Sequence, residues 1–209
     1  TWVEKTATLL ENFDTHMSSH RHFELFPLTH SDYSMALATD ETDEAINNPA
    51  VSLEEEVAFD TAMRGFMLVP ASLRRPLINA LAEQIGPSER VDASYKILSN
   101  IRNNRFNEME YSVPVEAGAE CLQEILALII DKAVDVVFPL EYRYVCRDDT
   151  MLGMSSGDED HAAISIHRVA SEDYRAYFDL IEPIFWKYGG RPHWGKIHSL
   201  GAEQLTRLY

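Results

Sequence analysis

The sequence predicts an α+β domain, a mainly antiparallel sheet covered on one face by helices. Runs with strand-like composition or alternation recur at residues 21–28, 106–114, 134–145 and 162–169. Between and after them, residues 115–133 and 171–187 repeat apolar side chains at helical spacing. These elements follow no regular strand-helix-strand rhythm, the pattern that would indicate a parallel α/β sheet.

Taken in order, residues 1–19 read as a lead helix, with Trp2, Leu9, Leu10 and Phe13 on one face and Glu4, Lys5, Glu11 and Asp14 on the other. Arg21 to Leu28 reads as a strand rich in Phe and Leu. Residues 31–50, with Asp40, Glu41, Asp43 and Glu44 before Asn47-Asn48-Pro49, read as an acidic, turn-rich surface excursion. Ser52-Leu53-Glu54-Glu55 resembles a capping box, in which a hydroxyl and a carboxylate satisfy the free amides that open a helix. Helices are expected over 52–68 and 70–85, ended by Gly86-Pro87, with a short strand over 94–99.

Phe106 to Pro114 alternates, placing Phe106, Glu108, Glu110 and Ser112 on one face and Asn107, Met109, Tyr111 and Val113 on the other. Val115 to Ala133 is predicted as a helix through Cys121, Leu122, Ile125, Leu126, Leu128 and Ile129. Val134 to Val145 is the most strand-like run, and Asp148 to Asp160 a loop. Ala162 to Val169 forms a strand with Ser165 and His167 on one face. Ser171 to Lys187 is a long amphipathic helix, capped by Ser171, with Pro183 as a potential kink. Gly189-Gly190 stops it, and Pro192 forces Arg191 into an extended conformation.

A chain of 209 residues accommodates one domain with a sizeable core. With 45% hydrophobic and 25% charged residues it has an ordinary globular composition. The formal charge of −16 argues against a nucleic-acid partner, because phosphate binding needs clustered Lys and Arg. Two cysteines, Cys121 and Cys146, are too few for a disulfide framework and read as small buried hydrophobes in a reduced, cytoplasmic setting. No apolar run reaches the roughly 18 residues of a spanning helix, so membrane association is not indicated by this segment. The chain starts without Met and ends inside a helical pattern, and is expected to be a fragment of a longer polypeptide.

The densest polar stretch is Arg191 to Leu200, which places Arg191, His193, Trp194, Lys196 and His198 around Pro192 and Gly195. It reads either as a solvated loop with Trp194 packed on the body or as a site, since loops carry function where a scaffold positions them. Glu141 and Arg143 lie two apart on a predicted strand, so their side chains share a face within hydrogen-bonding reach. That pair is open to two readings, a surface ion pair of little worth or an acid and cation lining a pocket. Glu110 reads as a solvated strand face or a catalytic residue, and His167 as a satisfied sheet histidine or a pocket residue. His20, His22 and His30 lack the Cys or carboxylates that would complete a zinc site, so no metal is assigned.

The run from Gly189 to Tyr209, joining His-Trp-Gly-Lys to a following Leu and helix, resembles the C-terminal signature of the sugar-1,4-lactone oxidases, the arabinonolactone and gulonolactone oxidase group of vanillyl-alcohol-oxidase-type flavoenzymes. His22-Phe23-Glu24 followed by Phe26-Pro27, Met109 to Pro114, and Glu141-x-Arg143 resemble further family motifs in the same order. The resemblance implies a single substrate (cap) domain over residues 1–209. An N-terminal FAD-binding domain is expected to be absent, because nine glycines, single or in one pair, offer no loop to cradle a pyrophosphate. This chain alone is therefore expected to be inactive.

The resemblance further implies oxidation of a sugar lactone or polyol, hydride passing to FAD, with oxygen or another electron acceptor as the oxidant. Glu141 then orients or deprotonates the hydroxyl, and Arg143 keeps Glu141 ionised and binds substrate oxygens. Lys196 brings positive charge to flavin or substrate, with Trp194 as a second cofactor contact. His193, Ser165, His167 and Glu110 are the substrate-binding candidates. The alternative is a stand-alone sugar- or protein-binding module without redox chemistry. A metal hydrolase built on the eight histidines is a third reading, which metal analysis would decide.

Overall fold

A computed structural model describes residues 1–47, 61, 62, 64–99 and 105–209. Among the described residues seven strands form one sheet: β1 (Trp2–Lys5), β2 (His22–Pro27), β3 (Tyr33–Thr39), β4 (Phe106–Pro114), β5 (Glu141–Val145), β6 (His161–Val169) and β7 (Arg191–Pro192), in the order β1-β3-β2-β5-β6-β4-β7. Each pairing is antiparallel. The described helices are α1 (Thr6–Glu11), α2 (Phe13–Ser19), α3 (Ala71–Ala82), α4 (Ser94–Ile97), α5 (Val115–Asp131), α6 (Arg175–Lys187) and α7 (Ala202–Leu208). The expected α+β class is what the chain adopts. Among the described residues no helix is long and apolar enough to cross a membrane.

The core lies between the sheet and α5 and α6. Strand alternation turns Met109, Tyr111, Val113, Tyr142, Ala162, Ile164 and Ile166 toward the helices, all buried. Cys121, Leu122, Ile125 and Ile129 of α5 and Tyr177, Phe178, Ile181, Ile184 and Phe185 of α6 meet them in one cluster. Tyr111 stacks on Phe185 with centroids 4.8 Å apart, and Phe13 of α2 meets Tyr142 edge-on at 4.9 Å. At Gly118 the helix lies so close to the sheet that a Cβ would come within 2.5 Å of the Ala162 Cβ.

Several expectations are corrected. The lead helix over 1–19 starts only at Thr6 and breaks at Asn12. Trp2–Lys5 instead pairs with residues 33–36 as an edge strand, and Trp2 packs on His16 and Phe23 at 5.5 and 6.0 Å. The excursion over 31–50 contains β3, whose Ser34 and Ala36 are buried. Small side chains hide its alternation from a hydrophobic count. The strand over 94–99 is a helical turn, opened where the Asp92 carboxylate accepts the Ala93 amide at 2.8 Å.

Of the strand over 134–145 only Glu141–Val145 pairs. Ala133 takes φ +46°, and the Val134 amide bonds back to Ile129 at 2.9 Å, so residues 134–140 leave α5 as a turn and loop. The long helix begins at Arg175, not near Ser171. Glu172 is tied in a turn to Val169, and the Asp173 carboxylate accepts the Arg175 amide at 3.1 Å. α6 continues through Pro183 to Lys187. Cys146 is exposed, unlike Cys121, whose thiol burial pushes up to about 12. The capping box at Ser52 lies outside the described residues.

Candidate active site

The opposite face of β4, β5 and β6 is polar. β4 pairs with β6 and β6 with β5 in registers that align Glu110, Ser165 and Glu141 in one row, and Ser112, Ala163 and Arg143 in the next. A third row pairs Glu108 with His167. Although none of this face lies under α5 or α6, Glu110, Glu141, Ser165 and His167 are each no more than 5% exposed.

Arg143 organises the first two rows. One guanidinium nitrogen donates to Glu110 at 2.9 Å and the other lies 2.9 Å from a Glu141 oxygen as an ion pair, so a single cation serves two buried carboxylates. Burial opposes its charge, but Glu141 and Glu110 outweigh that and hold Arg143 above its usual range. The same-face Glu141–Arg143 contact is the one the strand spacing required. Sharing with Glu110 follows from the register of two other strands. Ser165, between the glutamates in the register, keeps its hydroxyl without a hydrogen-bond partner among the described residues.

The segment after α6 is fastened to the edge of β4. Gly189, at φ +70°, supplies the left-handed residue that ends the helix, and the Gly190 amide closes onto Phe185 O at 2.8 Å. β7 then pairs with β4, after which the His193 amide donates to Glu110 O and the Ile197 amide to Glu108 O, each at 2.9 Å. The Lys196 amide turns back to His193 O at 3.0 Å. Glu182 of α6 secures the far end, accepting the Ser199 amide at 2.7 Å and the Tyr111 hydroxyl at 2.6 Å. A polar loop is thereby built into the sheet edge, not left solvated.

Its side chains diverge. The Lys196 ammonium donates to Glu108. Trp194 donates its indole N–H to Leu152 O at 3.0 Å and packs on Tyr209 at 4.9 Å. His193 accepts the Gly195 amide at 2.9 Å. A cleft of ≈ 460 Å³ opens here, lined by Glu110, Ser112, Arg143, His193 and Trp194 and by Leu152 of the β5–β6 loop. Glu141, Ser165, His167 and Lys196 share the polar region without lining this cleft. Sequence reasoning left out Glu108, Glu182 and Leu152. Alternation had put Glu108 on the face of Glu110, but its partners come from other elements. Burial alone would raise the Glu108 carboxyl, yet His167 and Lys196 prevail and bring it down to about 2.

Comparisons with known proteins point to one family. The family model described as D-arabinono-1,4-lactone oxidase matches residues 1–209. The chain is 32% identical over 209 residues to an L-gulono-1,4-lactone dehydrogenase of Mycobacterium tuberculosis, covering 97% of this chain and 48% of that protein. It is 23% identical over 222 residues to the L-gulonolactone oxidase of Bos taurus, covering 100% of this chain and 50% of the relative. A long-chain alcohol oxidase from an uncultured marine euryarchaeote is 38% identical over 94 residues, 42% of this chain and 19% of that protein. The chain spans about half the length of the lactone-named relatives it matches. With a match that runs from its first residue to its last, the chain belongs to the D-arabinono-1,4-lactone oxidase family.

Proposed function

We propose that residues 1–209 form the substrate-side domain of an FAD-dependent oxidoreductase that oxidises an alcohol of a sugar 1,4-lactone or alditol, with D-arabinono-1,4-lactone as the first substrate to try. The reading is carried by Arg143, held at 2.9 Å from both Glu110 and Glu141 on the open sheet face beside the cleft. The relatives' names support the lactone class.

The donor set fits a flavin. Lys196 and Arg143 offer positive charge to an electron-rich ring edge, and the buried Ser165 hydroxyl is a donor with no acceptor among the described residues. When bound, FAD supplies the two-electron acceptor for the hydride that leaves the alcohol carbon, with oxygen or another oxidant completing the cycle. Glu141 orients the substrate hydroxyl and takes its proton. Arg143 binds a neighbouring substrate oxygen while its contacts to both glutamates keep the guanidinium plane in place. His193, Ser165, His167 and Glu110 would complete the substrate contacts, and Lys196 and Trp194 would hold the cofactor.

The test uses the full-length protein. Its visible spectrum should show flavin bands that bleach when a reactive lactone is added without oxygen. Glu141→Gln should keep those bands and lower turnover on the order of 100-fold. Near-normal turnover removes Glu141 from the mechanism. A colourless protein that takes up no FAD overturns the reading and leaves a sugar- or protein-binding module.

A further inference from the structure

One carboxylate on the open face has no part in that reading. Glu108 precedes Glu110 by two residues on β4, so alternation puts it on the same side, opposite His167 in the register. Its side chain is only 11% exposed, and its two oxygens have different neighbours. One takes the Lys196 ammonium; the other lies 3.5 Å from His167 Nε2, which makes no hydrogen bond among the described residues.

Both neighbours are themselves restrained. His167 Nδ1 is 3.0 Å from the Pro139 carbonyl oxygen. That oxygen can only accept, so Nδ1 carries a hydrogen and the ring's orientation is set. Phe106 and Phe138 wall the imidazole at 5.2 and 5.1 Å. On the other side, the Ile197 amide donates to the Glu108 carbonyl at 2.9 Å, so Glu108 grips both the backbone after Lys196 and its ammonium. A lysine stem has four rotatable bonds, and an ammonium without a fixed partner spreads over many rotamers.

We propose that Glu108 is a positioning residue that fixes the Lys196 ammonium at the end of the open sheet face. The inference rests on the reading of Lys196 as the cation beside flavin or substrate. Glu108 acts through Lys196 and touches neither.

The experiment is a double-mutant cycle in the full-length, flavin-loaded protein, reading the rate constant of flavin reduction by a saturating lactone without oxygen. Lys196→Met and Glu108→Gln should each slow reduction, Glu108→Gln on the order of 10- to 100-fold, the cost of a misplaced group. The double variant should be no slower than Lys196→Met within about twofold, because residues that act as a unit are not additive. Multiplicative slowing overturns the proposal, as does a Glu108→Gln rate within about twofold of wild type. If Lys196→Met alone leaves reduction unchanged, the reading of Lys196 falls and this inference with it.

A second measurement is made on wild-type protein, with Lys196→Met used only to assign the signal. The Lys196 side-chain ammonium should give a slowly exchanging nitrogen–hydrogen NMR signal coupled to the Glu108 carboxylate. An ammonium that exchanges and averages like a free lysine overturns the proposal whatever becomes of the variants.

Discussion

β4, β5 and β6 present opposite chemistries on the two sides of the same backbone. Toward α5 and α6 they turn Met109, Tyr111, Val113, Tyr142, Ala162, Ile164 and Ile166; on the other side they turn Glu108, Glu110, Ser112, Glu141, Arg143, Ser165 and His167. Both sets are mostly buried, and they differ in what burial demands. Apolar groups need only close packing, whereas carboxylates need a partner for every oxygen that loses water. The helix side is therefore filled by shape, as at Gly118, and the open side by pairing, as at Arg143. A sheet can keep a charged face sheltered when register supplies the counter-charges.

Breaking the pairing should cost most. Arg143→Met leaves Glu110 and Glu141 without their shared cation, and both carboxylates are no more than 5% exposed. Removing one member of a buried pair costs about 3–5 kcal/mol, and the 39% exposure of Arg143 moderates this to about 3 kcal/mol. Denaturant unfolding should show that loss. A variant as stable as wild type would mean the open face does not depend on pairing.

Breaking the packing should cost somewhat less. In Gly118→Ala the new methyl meets the Ala162 Cβ at 2.5 Å and the Tyr142 hydroxyl at 2.7 Å. Overpacking costs about 1–3 kcal/mol, and the roughly 1 kcal/mol gained by Ala in a helix offsets only part of it. Thermal unfolding should show a net loss of about 1–2 kcal/mol. An unchanged melting temperature would show α5 free to lift from β6.

The smallest effect separates the two faces by pH. Glu108 titrates near 2 in the folded chain against its usual 4.5, so its contribution is complete above pH 4.5 and is lost as pH falls toward 2. Glu108→Gln should flatten the acid limb of the stability curve between those values, measured by urea unfolding at each pH. Gly118→Ala should shift the same curve without changing its slope. An unchanged acid limb in Glu108→Gln would mean that its ion pair with Lys196 adds nothing to stability.

Legibility followed how local each signal was. The helix over 115–131 and the strand over 106–114 announced themselves because a single segment carries the whole period. β3 did not, since Ser34, Ala36 and Ala38 are too small to register as an apolar face. β1 was read as helix because a four-residue edge strand owes its state to pairing with residues 33–36. Among the site residues, His193, Trp194 and Lys196 were visible as a cluster in one stretch, and Glu141 with Arg143 as a spacing of two. Glu108 stood on the right face but named no partner.

By itself the sequence determined the α+β class, the facing of Glu141 with Arg143, the shared side of Ser165 and His167, and the membership its motifs announce from end to end. All of these depend on periods and spacings within one segment. Tertiary structure alone decided that Glu110 and Glu141, distant in sequence, share Arg143, and that Lys196 lies on Glu108. Strand order and register are set by how the whole core packs, and no single segment contains that information.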